Sequence, residues 1–307
     1  MSSYVVSLEE LGQADVQRCG GKAAGLGELI RLGLRVPPGF CIVGKAWSYV
    51  VDSNSLGERI AHIAASLKFE DYSDVEEKTA AVRSLVMSAK VPADLEQELR
   101  DRLSELVAEE NKGTKYVAVR SSVAVKDSDV SSFPGMMDTY HWVRGEREVL
   151  QKILECWASL WTARAAYARY RRQIAHDMGV IAPIVQLMVD SEVAGVLFTA
   201  NPITRGTEEV VIESNWGLGE SVVSGKSMND FFVLDKKTLA VKQRRIAEKT
   251  LMVTMNDEGS GRTERPVPAS RAKESTLSEA HLAELGKVGQ RIEGGPASSR
   301  YLARRAC

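Results

Sequence analysis

The chain has 307 residues, 44% of them hydrophobic and 26% charged, which is enough apolar material for a substantial core and excludes disorder throughout. Its 40 lysines and arginines stand against 41 aspartates and glutamates, a formal net charge of −1, so any site for a polyanion has to be local. The cysteines Cys19, Cys41, Cys156 and Cys307 form no CxxC pair and lie near no histidine at ligand spacing, which argues against a zinc site.

In chain order, a short extended start at Tyr4–Leu8 leads into Gly20-Gly21-Lys22-Ala23-Ala24-Gly25-Leu26-Gly27-Glu28, where small residues run straight into the apolar-periodic stretch Leu26, Leu29, Ile30, Leu34. This reads as a glycine turn feeding a helix that stops near Gly33, because Val36-Pro37-Pro38-Gly39-Phe40 cannot continue it. From about 46 to 110 the pattern is amphipathic helix, clearest at Val75–Ala89 and Ala93–Glu110. Asn111-Lys112-Gly113-Thr114 is a polar hinge before the strand-like Tyr116-Val117-Ala118-Val119, so a lobe boundary is expected near residue 112.

Beyond it, the spacing predicts a polar loop at Arg120–Asp138, one long helix from about Glu146 to His176, and strands at Ile184–Val189, Gly195–Thr199, Glu209–Glu213 and Asp230–Leu234. Met255 to Ser275 is poor in large apolar groups and is expected to be a mobile loop or a long hairpin tip. A last helix, Ser278–Ile292, carries Leu282, Leu285, Val288 and Ile292 at helical spacing, and Gly294-Gly295-Pro296 ends it. Helices interleaved with strands indicate an α/β (α+β) class: an N-terminal lobe at 1–112, a second lobe at 113–293 and a divergent tail at 294–307. Met1 to Glu10 has no basic start followed by an apolar core, and no apolar run approaches the roughly 18 residues of a membrane span. A soluble, cytoplasmic protein that binds neither nucleic acid nor membrane is expected.

Four segments carry possible chemistry. At Gly20–Glu28, a helix start offers unpaired backbone donors and one cation, Lys22, suited to phosphate oxygens; it lacks P-loop spacing, and glycines in such a run equally serve close packing. Val119-Arg120-Ser121-Ser122 delivers an arginine fork and two hydroxyls into a loop ending Ser132-Phe133-Pro134-Gly135-Met136-Met137-Asp138-Thr139, where Gly135 would let backbone approach a ligand. Val185-Gln186-Leu187-Met188-Val189 is an apolar strand with one amide, either a seat for an adenine or a strand with a satisfied buried glutamine. Glu213-Ser214-Asn215-Trp216-Gly217-Leu218-Gly219-Glu220 runs a strand into a glycine turn between two acids, a setting for a ribose or a magnesium-phosphate group, or a plain strand-to-helix corner.

In order, the pieces GGKAAGLGEL, VPPGF, VAVRSS, FPGMMDT, ASLWTARAAYARYR, AGVLFTANP and ESNWGLGESVVSG run from Gly20 to Gly225, within a stretch of resemblance at about residues 19 to 249. As an ordered set they resemble the ATP-binding domain of the phosphoenolpyruvate synthase and pyruvate phosphate dikinase family, which includes rifampin phosphotransferase and the ATP subunit of phenylphosphate synthase. The resemblance implies a bilobal ATP-grasp fold that clamps ATP, with magnesium as the usual companion. Residue by residue, it implies that Lys22 and Arg120 hold phosphates and act by positioning and charge neutralisation. It places Gly135 and Thr139 in the phosphate-covering loop and Gln186 with Met188 against the adenine, and it makes Glu213 the choice for the ribose. In such enzymes a histidine on a separate swivelling domain takes a phosphoryl group from ATP, AMP and phosphate leave, and the histidine carries the group to an acceptor.

The sequence departs from that pattern in two places. Lys126-Asp127 stands where relatives of the synthase type have an acid before an aspartate, and this lysine either repels magnesium or binds phosphate. Gly294–Cys307 contains no acid, so the family's metal-binding glutamate and later glutamine have no counterpart and no metal ligand is assigned. His62, His141, His176 and His281 each stand in a context unlike that of the carrier histidine. Three readings follow: the ATP-handling subunit of a split phosphotransferase with a partner bearing the histidine and acceptor sites, which is the reading chosen; a truncated, inactive synthase fragment; or a non-catalytic nucleotide-binding module.

Overall fold

A computed structural model describes residues 3–108, 116–125, 139–176 and 179–295. The chain divides into two compact units, Met1–Ile30 with Val36–Met188, and Arg31–Arg35 with Val189–Cys307. In the first unit run β1 (Val5–Ser7), α1 (Val16–Arg31), β2 (Gly39–Ile42), α2 (Gly44–Ser53), α3 (Gly57–Ala65), α4 (Tyr72–Met87) and α5 (Ala93–Ala108). They are followed by β3 (Val117–Val125), β4 (Thr139–Val143), α6 (Glu146–Ser159), α7 (Ala163–Arg171) and β5 (Gly179–Leu187).

The strands form one antiparallel sheet in the order β1-β2-β5-β3-β4. Because side chains alternate along a strand, each strand sorts its residues onto two faces. Val117, Val119 and Val123 of β3 join Ile181, Val185 and Leu187 of β5 in a core with Val82 and Val86 of α4, Ile153 and Trp157 of α6, and Leu95, Leu99, Leu103 and Leu106 of α5. The α5 leucines recur every three or four residues, the period that puts them on one stripe of a helix. On the opposite face, Cys41, Ala182 and Ile184 pack against Cys19, Ala23 and Ala24 of α1.

The mixed α and β content matches the expectation, but three of its details do not. The polar loop expected from Arg120 does not begin there, because Arg120 to Val125 continue the antiparallel pairing of β3 with β5. The boundary expected near residue 112 falls inside the first unit, because β2 pairs with β5 and so joins the N-terminal strands to the later ones in one sheet. The single helix expected from 146 to 176 is broken at 160–162. There the Thr162 hydroxyl caps α7 by accepting from Ala165 N at 3.2 Å, and the fully buried Arg169 donates from Nη1 to Leu160 O at 2.6 Å. A continuous helix would use both backbone groups within itself, so these side chains replace the lost turn.

The second unit holds β6 (Val193–Phe198), β7 (Glu209–Trp216), α8 (Glu220–Val223), β8 (Asp230–Asp235), β9 (Val241–Arg245), β10 (Leu251–Met255), β11 (Arg262–Pro266) and α9 (Glu279–Gly294). Strands β6-β7-β8-β9 form an antiparallel sheet in that order, and α9 seats Leu282 on Val210, Ile212, Phe232 and Leu234. Strand β9 reads Val-Lys-Gln-Arg-Arg; its charges hide it from hydrophobic patterning and suit the sheet edge it occupies. The apolar-poor stretch after Met255 is the tip of the β10-β11 hairpin, followed by turns in which Arg271 N and Ala272 N donate to Pro268 O at 2.8 and 3.1 Å.

At the start of β8, Asp230 and Lys249 are fully buried. Oδ1 of Asp230 accepts from Lys249 Nζ at 2.7 Å and Ala247 N at 2.9 Å, while Oδ2 accepts from Thr276 N and Thr276 Oγ1, each at 2.8 Å. Since Thr276 spends its hydroxyl proton on Asp230, the 2.6 Å contact between Ser214 Oγ and Thr276 Oγ1 has Ser214 as donor. One carboxylate thereby ties β7, the 247–249 segment and the lead into α9 together. Removing its cation leaves a buried charge uncompensated, so Lys249→Met is expected to lower the unfolding free energy by about 3–5 kcal/mol. Chemical denaturation of the two proteins measures this.

Candidate functional site

The face of the first sheet that meets α1 carries a polar group that alternation alone puts there. On β3, Ala118, Arg120 and Ser122 share this face. Arg120 lies opposite Thr139 of β4 on one side and Ile184 of β5 on the other, while Ala118 lies opposite Gln186. Half-buried Arg120 donates from Nη1 to Gln186 Oε1 at 2.9 Å, and Gln186 Nε2 donates to Pro37 O at 2.8 Å. Gln186 is only 4% exposed, so its amide is committed at both ends to holding the guanidinium and the prolyl turn. One strand-end further, Leu187 N donates to Pro38 O at 2.9 Å and Met188 N to Tyr116 O at 3.0 Å, and Met188 is buried.

Helix α1 is seated on this face at its glycine turn. Gly20 breaks the helix with φ 75° and ψ 163°. A Cβ there would lie 2.4 Å from Ser122 Oγ and 2.6 Å from Val123 N. Only glycine satisfies both the positive φ and the contact. The helix restarts with Lys22 in its first turn, and Ala23 N donates to Ser122 Oγ at 3.1 Å, so a hydroxyl two residues from Arg120 caps the helix.

This seating sets the electrostatics. Lys22 is exposed along its side chain, yet protein atoms crowd its ammonium, and this burial, with the Arg120 charge second, pulls its pKa down to about 8. Burial also holds the Arg120 guanidinium below its ordinary value. Among the described residues no carboxylate contributes to either shift. A lysine in the first turn of a helix and an arginine on the strand beneath it are the kind of groups that can meet an anion with several oxygens.

Of the residues singled out in the sequence, Lys22, Arg120, Thr139, Gln186 and Met188 belong to the first unit, and the first four cluster around α1 and the three strands β3, β4 and β5. Gly135, Lys126 and Asp127 lie outside the described residues. Glu213 belongs to the second unit, on β7 between Val196 of β6 and Phe231 of β8, where Asn229 Nδ2 donates to its Oε2 at 3.3 Å. Sequence reading missed Asn229, whose reach across a loop has no local signal, and it missed the role of Ser122, for which the hydroxyl pair after Arg120 was the available cue. Two of the histidines do structural work: His176 Nδ1 accepts from Arg169 Nε at 3.1 Å, and His281 takes part in the cap of α9 with Ser278. Among the described residues no group of three or more His, Cys, Asp or Glu is placed to hold a metal ion, and no helix is long and apolar enough to cross a membrane.

Residues 16–295 match the family described as pyruvate phosphate dikinase, AMP/ATP-binding domain. A probable phosphoenolpyruvate synthase of Pyrococcus horikoshii is 36% identical over 327 residues, covering 94% of this chain and 40% of the relative. One from Methanothermobacter thermautotrophicus is 36% identical over 305 residues, covering 98% and 44%. One from Staphylothermus marinus is 40% identical over 255 residues, covering 82% and 31%. The chain thus spans less than half the length of these relatives.

Two outcomes test the geometry. Gly20→Ala combines strain at a positive φ with overpacking against β3 and is expected to cost about 2–5 kcal/mol in denaturant unfolding. In an NMR titration of isotopically methylated lysines, the Lys22 resonance is expected to titrate near pH 8 and to move upward in Arg120→Gln, where the neighbouring charge is gone.

Proposed function

The chain belongs to the pyruvate phosphate dikinase AMP/ATP-binding domain family, and from that premise we propose that its first unit holds the phosphates of ATP on the sheet face beneath α1. The carrying observation is the pair Lys22 and Arg120, brought near each other by the Gly20–Ser122 contact, with no carboxylate among the described residues contributing to their pKa shifts. In this reading Lys22 and the first-turn backbone donors meet phosphate oxygens, Arg120 supplies a planar fork fixed by Gln186, and Thr139 contributes a hydroxyl from the adjacent strand. Gly135 covers the phosphates, Gln186 and Met188 border the adenine, with Gln186 acting through Arg120 and its main chain, and Glu213 meets the ribose.

The reaction proposed is transfer of a phosphoryl group from ATP to a histidine on a separate partner protein, with water accepting the remaining phosphoryl group so that AMP and phosphate are released, and onward transfer to an acceptor as in the pyruvate-water-dikinase or phenylphosphate-synthase type. The protein's part in it is to fix the triphosphate and to offset charge as it shifts toward the leaving oxygens. Among the described residues no group of three or more His, Cys, Asp or Glu is placed to hold a metal ion, and no step is routed through magnesium. The second reading is a nucleotide-binding module without turnover, in keeping with a chain that covers 40% of a relative's length.

Calorimetric titration tests the binding. Lys22→Ala and Arg120→Ala are each expected to weaken ATP binding roughly tenfold or more, the size of a lost charge-assisted hydrogen bond. Lys22 must be protonated to attract phosphate, so wild-type affinity is expected to fall as pH rises through about 8, while Lys22→Met gives a flat profile. Absence of binding at millimolar ATP overturns the reading. Incubation with ATP and a phosphohistidine domain taken from a relative separates the two functions: AMP and a phosphorylated histidine mark the transferase, and neither product marks the module.

A further inference from the structure

Glu213 sits on β7 with apolar Val196 and Phe231 opposite it on either side, on the face that also carries Val211, Val233 and Phe198. A carboxylate among such neighbours swings freely unless a donor holds it. The donor is Asn229, the residue preceding β8, and its amide is engaged at both ends. Nδ2 donates to Glu213 Oε2 at 3.3 Å and to Val222 O at 3.1 Å, and Oδ1 accepts from Asn215 Nδ2 at 3.2 Å. Asn215, fully buried, is itself oriented by the Trp216 N–H, which donates to its Oδ1 at 2.8 Å. Flipping the Asn229 amide would set oxygen against the carboxylate and the carbonyl, and NH2 against NH2 of Asn215, so the network admits one orientation.

The backbone from which Asn229 reaches is equally constrained. The next residue is Asp230, buried and bound by Lys249, Ala247 and both the N–H and hydroxyl of Thr276. The two adjacent side chains divide the work: Asp230 anchors the start of β8 inward, and Asn229 transmits that anchor to Glu213. Among the described residues, the Glu213 carboxylate takes one hydrogen bond, at Oε2.

We propose that Asn229 is a positioning residue that fixes Oε2 of Glu213 so that the carboxylate's other oxygen is presented in a constant direction to a hydroxyl-bearing ligand, here the vicinal diol of a nucleotide ribose. The proposal rests on Glu213 as the ribose contact. A carboxylate held in place accepts from sugar hydroxyls without first losing rotamer freedom, so its preorganisation enters affinity directly.

The test compares ATP with 2′,3′-dideoxy-ATP by calorimetry on the full chain, at one magnesium concentration, for wild type, Glu213→Ala, Asn229→Ala and Asn229→Asp, with melting temperatures recorded for each. Wild type is expected to prefer ATP by about tenfold or more, as befits hydrogen bonds to a charged acceptor. Glu213→Ala is expected to abolish the preference. Asn229→Ala should reduce it severalfold, and Asn229→Asp, isosteric but unable to donate when ionised, at least as much, with dideoxy-ATP binding unchanged in all. If Asn229→Ala and Asn229→Asp keep the wild-type preference while Glu213→Ala loses it, the positioning role is wrong and the ribose contact stands. If Glu213→Ala keeps the preference, the ribose contact is wrong and the proposal falls with it. An equal loss for both nucleotides in the Asn229 variants marks general structural damage and also overturns the proposal.

Discussion

The seating of the α1 glycine turn on β3 is the contact on which the first unit's chemistry depends. Backbone meets backbone there at a distance that no side chain tolerates, and the helix restarts immediately beyond it, so its first turn has a single available position over the sheet. Ser122 then takes the Ala23 N–H, and Arg120, two residues back on the same face, is held by Gln186. A lysine and an arginine that would avoid each other in water are thereby kept as neighbours. Burial first, and the Arg120 charge second, depress the pKa of Lys22, a burden that the proposed phosphate contact would relieve.

The two units treat buried charge in opposite ways. In the second, Asp230 meets Lys249 with every carboxylate oxygen satisfied, an arrangement that locks chain segments and leaves nothing for a ligand. In the first, two cations lie near each other with no carboxylate among the described residues contributing to their shifts. The contrast is between a buried pair that satisfies itself and two cations of which Arg120 is held by the Gln186 amide.

Much of the candidate site was legible in the linear chain. The glycine turn, the arginine within a valine-rich strand and the polar residue in an apolar strand are all local signals, and local signals survive in sequence. What was misread involved partners distant in sequence. The break at 160–162 depends on Arg169 reaching back to Leu160 O, and helical periodicity continues undisturbed across it. Strand β9 carries no hydrophobic alternation because its register is imposed by β8. The boundary expected near 112 followed a real change in composition, but β2 crosses it by pairing with β5. The Gln186 side chain, read as either an adenine contact or a satisfied buried amide, is satisfied by Arg120 and by Pro37, which leaves its main chain for the proposed adenine contact.

By itself the sequence determined most of the element types, the family and the residue kinds able to meet phosphate, since periodicity, turn chemistry and motif order are all written within short windows. The tertiary structure decided which of those residues act together. Hydrogen bonds spanning 99 residues, from Ala23 to Ser122, and 66 residues, from Arg120 to Gln186, convert separate motifs into one charged face. The same holds for Asn229 and Glu213, 16 residues apart, where an otherwise ordinary loop amide gains its meaning from the carboxylate that sheet pairing brings within reach. Such couplings depend on strand register and on desolvation, and both exist only once the chain has folded.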